Sequence, residues 1–173
     1  MISSLSGLLG VFLANHYQIK RQRLEAEHKE KIEIEKYQRE TKERTKELIR
    51  SKLEVAHQIA SRIAFENSQT SSYMASEMLS IDDFHKRYQE NQLELEKLVM
   101  IIGIYFPSLN EEASILIGKT NVFWGYQMNY MATGAHNSMA VGEILKASEA
   151  IAKTTKVMKK EMENIAKKLE MSI

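Results

Sequence analysis

Residues 138–170 read SMAVGEILKASEAIAKTTKVMKKEMENIAKKLE. Within them Val141, Ile144, Ser148, Ile151, Thr155, Met158, Met162, Ile165 and Leu169 follow one another at alternating steps of three and four. That unbroken seam is how the helices of a bundle or coiled coil pack, so this helix requires partners. They lie upstream. Thr133-Gly134-Ala135-His136-Asn137 reads as a turn, and before it a helix from about 109 to 132 carries Ile115, Leu116, Val122, Phe123, Trp124, Met128 and Met131. Ser108 with Glu111 is a capping signal for its start, and Pro107 ends the helix that precedes it. That earlier helix opens on a second such signal, Ser80 with Asp83, and its inward stripe is Phe84, Tyr88, Asn91, Leu95, Leu98, Ile102 and Tyr105. Asn67 to Ser72 is polar, either a loop or an irregularity. Upstream of it Ile49, Leu53, Ala56, Ile59, Ala60, Ile63 and Ala64 recur at helical spacing. Short connections make sequential helices antiparallel neighbours, so residues 48–173 are expected to form an antiparallel four-helix bundle.

The whole chain is expected to be all-α. It holds one proline and seven glycines in 173 residues, and no stretch alternates as a strand does. Residues 20–47 are dense in Glu, Lys and Arg, with Leu24, Ile32, Ile34 and Tyr37 as the large apolar side chains. Glu precedes a base by four at Glu25 and Lys29, Glu27 and Lys31, Glu35 and Arg39, and Glu40 and Arg44, pairs that favour an exposed helix. Mixed signs without Gly or Pro point to a helical stalk rather than a disordered linker.

Residues 1–19 carry no charged side chain, and Lys20-Arg21-Gln22-Arg23 follows at once. This step reads as a membrane edge, with the N-terminus outside and the basic side cytoplasmic. An interfacial helix and the first helix of a soluble core are competing readings. A signal peptide fits less well, because its positive charge would precede the apolar run. Ser3, Gly7, Gly10 and Ala14 place small side chains on one stripe, where neighbouring helices can approach closely. Ser4, Asn15 and Gln18 are polar groups expected to face protein or water, and so to line a pore in an assembly. Lys20, Arg21 and Arg23 would stand at its cytoplasmic mouth.

Composition excludes more than it assigns. Without cysteine there are no disulfides and no thiolate-held metals. A net charge of +1 gives no global case for nucleic-acid binding. The chain lacks a phosphate-binding glycine loop, a His-Glu-x-x-His helix and an Asp-rich calcium loop, so neither cofactor nor metal is expected. The five histidines are scattered, and Glu111-Glu112 is a helix-start charge pair. Two spacings match an Arg followed after four to six residues by His. Arg23 and His28 fall about 140° apart on a straight helix, whereas Arg50 and His57 return to nearly one side.

The Arg50 to His57 spacing is that of HEPN ribonucleases, helical bundles in which paired Arg and His act on an RNA backbone. With the weak N-terminal membrane segment, the charged helix and the small bundle, the chain resembles the small membrane accessory proteins of type VI-B CRISPR systems. The resemblance implies an octameric, pore-forming homo-oligomer of the bacterial inner membrane. Such a protein strengthens antiphage defence beside an RNA-guided, RNA-cleaving effector, with that effector or RNA as trigger. Ser51 follows Arg50 where the cleaving enzymes often have Asn or His, so the resemblance implies a pore rather than a nuclease. Two further readings remain open, a membrane-tethered scaffold that conducts nothing and a HEPN-type ribonuclease.

Overall fold

The structure is a computed structural model that describes the backbone of residues 3–68, 80–133 and 138–171, and side chains within residues 15–68, 80–132 and 140–171. Among the described residues four α-helices make up nearly all of the structure: α1 (Ser3–Glu66), α2 (Ile81–Tyr105), α3 (Asn110–Thr133) and α4 (Ser138–Met171), with one 3-10 turn at Pro107–Leu109. The chain divides into two compact units, Met1–Glu47 and Leu48–Ile173, and α1 contributes to both.

In the first unit α1 is helical from Ser3 onward, as the absence of Gly-Pro punctuation after Gly10 allows. Every described side chain from Asn15 to Thr45 is exposed. The expected Glu-to-base pairs do not close. Arg21 instead pairs with Glu25 at 2.8 Å, in the reverse order along the helix, and Glu43 with Lys46 at 3.9 Å, acid first but three residues apart. Exposed ions gain little from any one partner, so the sequence order of such pairs decides little. Among the described residues no helix is long and apolar enough to cross a membrane. The reason is length: the apolar stretch ends at Ala14, before Asn15-His16-Tyr17-Gln18. The twelve helical residues from Ser3 to Ala14 rise about 18 Å against a hydrocarbon core of about 30 Å.

In the second unit the helices alternate in direction. Arg87 on α2 donates to Glu66 at the end of α1 at 2.9 Å, and Lys52 near the start of this part of α1 lies 5.8 Å from the Tyr105 ring at the end of α2. Midway along, Gln92 on α2 donates to Asn121 on α3 at 3.0 Å. The bundle core joins Leu53, Ala56, Ile59 and Ile63 of α1 to Leu95, Leu98 and Ile102 of α2, Leu116 and Phe123 of α3, and Ile151 and Met158 of α4. Burial of each large side chain contributes about 1.5–3 kcal/mol. The α4 seam is inward from Ile144 to Met162, half-buried at Ile165 and Leu169, and reaches solvent at Val141.

The helix ends follow local chemistry. Ser80 is the N-cap of α2, its Oγ accepting from the Asp83 N–H at 3.2 Å while its hydroxyl donates to the Asp83 carboxylate at 2.6 Å. Pro107 does end α2, after Tyr105, and the Phe106 N–H closes on the Ile102 carbonyl at 2.8 Å. Ser108 is not a cap; it sits inside the 3-10 turn, and α3 starts at Asn110. At the end of α1 the Ile63 carbonyl accepts from both the backbone and the side-chain amide of the buried Asn67. Part of the expected polar connection from Asn67 to Ser72, and most of the turn at 133–137, lie outside the described residues.

Candidate functional site

Arg50 and His57 are two helical turns apart on α1, and both meet α4. Arg50 Nη2 lies 3.4 Å from Glu170 Oε1, both side chains being largely exposed. His57 is half-buried and lines an open groove of about 260 Å³ with Leu53, Glu54, Gln58, Met162 and Glu163. The antiparallel crossing therefore sets Arg50 against Glu170 and His57 in one groove with Glu163, and the two glutamates have the same seven-residue spacing as the two bases. This pairing depends on which helices pack together, so sequence spacing within α1 could not disclose it.

Glu170 lies beside Arg50, and Glu54 and Glu163 line the groove that holds His57. Glu54, Glu163 and Glu170 make the surroundings of the pair anionic, which opposes RNA binding by simple Coulomb repulsion. The arrangement bridges α1 and α4 at the bundle surface, outside the apolar core that joins them. The other Arg/His spacing, Arg23 and His28, lies on exposed positions of the first unit.

Of the residues assigned to helix contact and pore lining, Ser3, Ser4, Gly7, Gly10 and Ala14 have helical backbone, and their side chains lie outside the described residues. Asn15 and Gln18 are exposed, as are Lys20, Arg21 and Arg23. Arg21 is the one of these three basic residues with a carboxylate at hydrogen-bond distance, that of Glu25. Among the described residues no group of three or more His, Asp and Glu side chains could hold a metal ion.

Sequence reasoning placed the polar Ser148 and Thr155 on the inward seam of α4 but missed the buried polar positions of α3. Thr120 and Gln127 on α3 and Ser148 and Thr155 on α4 are all buried. Thr155 returns its hydroxyl to the carbonyls of Ile151 and Ala152, which lets a polar residue occupy a seam position. Trp124, placed on α3 only as an apolar residue, proves to be the centre of an aromatic cluster with Phe84, Tyr88 and Phe123.

No protein-family model matches the chain, and no curated protein or solved structure does either.

Proposed function

We propose that the chain is a membrane-bound homo-oligomer whose N-terminal helices together form a polar-lined pore. In the cell it would act in antiphage defence beside an RNA-guided, RNA-cleaving effector, as the likeness to the type VI-B accessory proteins implies. The observation that carries this reading is the start of α1: helix from Ser3, free of charge through Ile19, and continuous into Lys20-Arg21-Gln22-Arg23. An apolar stretch too short to cross lipid alone fits a stave of an assembly, where Asn15 and Gln18 face water or one another and the bilayer thins locally. Gly7, Gly10 and Ala14 would form the close contacts, and Lys20, Arg21 and Arg23 the basic mouth.

The test is leakage of salt and dye from liposomes loaded with purified protein. Leakage is expected, and its loss in Gly7→Leu/Gly10→Leu; unchanged leakage in that double variant would remove the proposed contact stripe. A second reading has its own support in the same short apolar length, namely an interfacial anchor for a helical scaffold that conducts nothing. It predicts membrane association with tight liposomes. Glu170 beside Arg50, with Glu54 and Glu163 in the His57 groove, favours both readings over a HEPN-type ribonuclease, for which His57→Ala would abolish RNA cutting.

A further inference from the structure

The inward seam of α4 leaves an opposite face that the bundle core does not use. Lys146, Lys153, Lys160 and Lys167 recur along it at steps of seven. At 100° per residue all four fall within about 40° of the direction opposite the buried Ile151, and the row spans about 31 Å of helix. Lys156 and Lys168 flank it, and all six lysines are exposed. The two ends differ. Lys146 is held by Glu143 at 2.7 Å, and the exposed Glu149 stands one turn further along the same face. From Lys153 to Lys168, by contrast, six lysines stand against two glutamates. Both of these lie off the row, Glu161 accepting from the Asn164 amide and Glu163 lining the His57 groove. Among the described residues none of Lys153, Lys156, Lys160, Lys167 and Lys168 has a carboxylate within ion-pair distance.

What else the face carries decides its partner. The apolar side of α4, with Ile144, Ile151, Met158 and Met162, is buried in the bundle, and between Lys153 and Lys168 Val157 is the one large apolar side chain exposed. Helices that lie on a bilayer keep an apolar edge for the lipid, and a partner helix packs on an apolar seam, so neither finds its grip here. A single strand of nucleic acid is held by stacking its bases on aromatic rings, and α4 has no aromatic residue. A rigid polyanion needs only charge along a line. Lysine offers a point charge on a flexible stem, without the planar fork that reads a base edge, and α4 contains no arginine. We infer that the face of α4 from Lys153 to Lys168 docks the phosphate backbone of duplex nucleic acid, RNA or DNA, without reading its sequence. This docking surface belongs to the bundle unit alone and is independent of the pore reading.

The test is fluorescence anisotropy of labelled duplexes of about 20 base pairs, at about 3.4 Å each longer than the row, titrated with the full-length protein in neutral detergent. Duplex RNA and duplex DNA of two unrelated sequences are expected to bind within roughly threefold of one another, since a phosphate contact carries no base information. For the DNA, log affinity should fall against log salt with a slope of about −4, as five lysines displacing counterions require. Lys153→Gln/Lys160→Gln/Lys167→Gln should make that slope shallower by about 3 and weaken binding roughly a hundredfold at about 0.1 M salt. The urea midpoint should not move, because all three side chains are exposed. Lys29→Gln/Lys31→Gln/Lys36→Gln removes the same charge from exposed positions of the first unit and should leave affinity within about twofold. Equal losses in the two triple variants would overturn the site by reducing it to net charge, and so would a single strand that binds as tightly as the duplex. Absence of duplex binding would overturn it as well. Capture by phosphatidylserine over phosphatidylcholine liposomes, lost in the α4 triple variant, would then give the row to a membrane surface.

Discussion

Thr120 is sealed from solvent on α3, and its hydroxyl has no partner among the described residues. Valine has nearly the same shape and no group to leave unmade. Thr120→Val is therefore expected to stabilise the bundle by about 1 kcal/mol, read as a higher urea midpoint at unchanged slope. Arg50 lies at the other extreme, since its carboxylate partner at 3.4 Å is as exposed as itself. Arg50→Ala should cost under about 1 kcal/mol and leave the fold intact, which thermal unfolding will check. The burial of Thr120 was not legible in the sequence for a definite reason. Apolar residues stand all round α3, with Ile115, Leu116 and Ile117 consecutive and then Val122, Phe123 and Trp124, so periodicity does not select one face. Ile115 and Val122, which the sequence suggested as core, are in fact exposed.

At the scale of the element, α2 and α4 were legible because polar and apolar positions segregate along them. Asn91 was correctly read as inward from its place in the α2 stripe, between Tyr88 and Leu95. Capping chemistry was readable where the cap stood alone, at Ser80. It misled at Ser108, where the preceding proline imposes a 3-10 turn that absorbs the serine. Ser80→Ala should thus cost about 1 kcal/mol and fray the first turn of α2, visible as faster amide exchange at Asp83 and Phe84. Gly103 and Gly118 are exposed helix-interior positions where an added Cβ meets nothing within 4 Å. Alanine at each should stabilise the protein by roughly 0.5–1 kcal/mol, again as a rise in the urea midpoint. An unchanged midpoint at both would mean that the open space beside them is filled in the assembled protein.

At the scale of the whole molecule, every residue of the buried cluster falls between Leu53 and Met162. A chain shortened to residues 48–173 is therefore expected to unfold in one cooperative transition close to that of the full chain, followed by circular dichroism on heating. The same truncation removes the charge-free start of α1 and should abolish sedimentation with membranes. Persistence of membrane binding would move the anchor into the bundle. The division into an N-terminal helix and a helical body was legible from charge alone, but the surface pairing of α1 with α4 was not, since it requires two distant segments to meet. That pairing also discriminates against misalignment. Sliding α4 by three residues toward its own C-terminus would exchange Glu170 for Lys167 opposite Arg50, and Glu163 for Lys160 beside His57. Attraction at Arg50 would become repulsion. Weak as that contact is for stability, it biases the register of a seam whose three-four repeat would otherwise accept its neighbour a turn away.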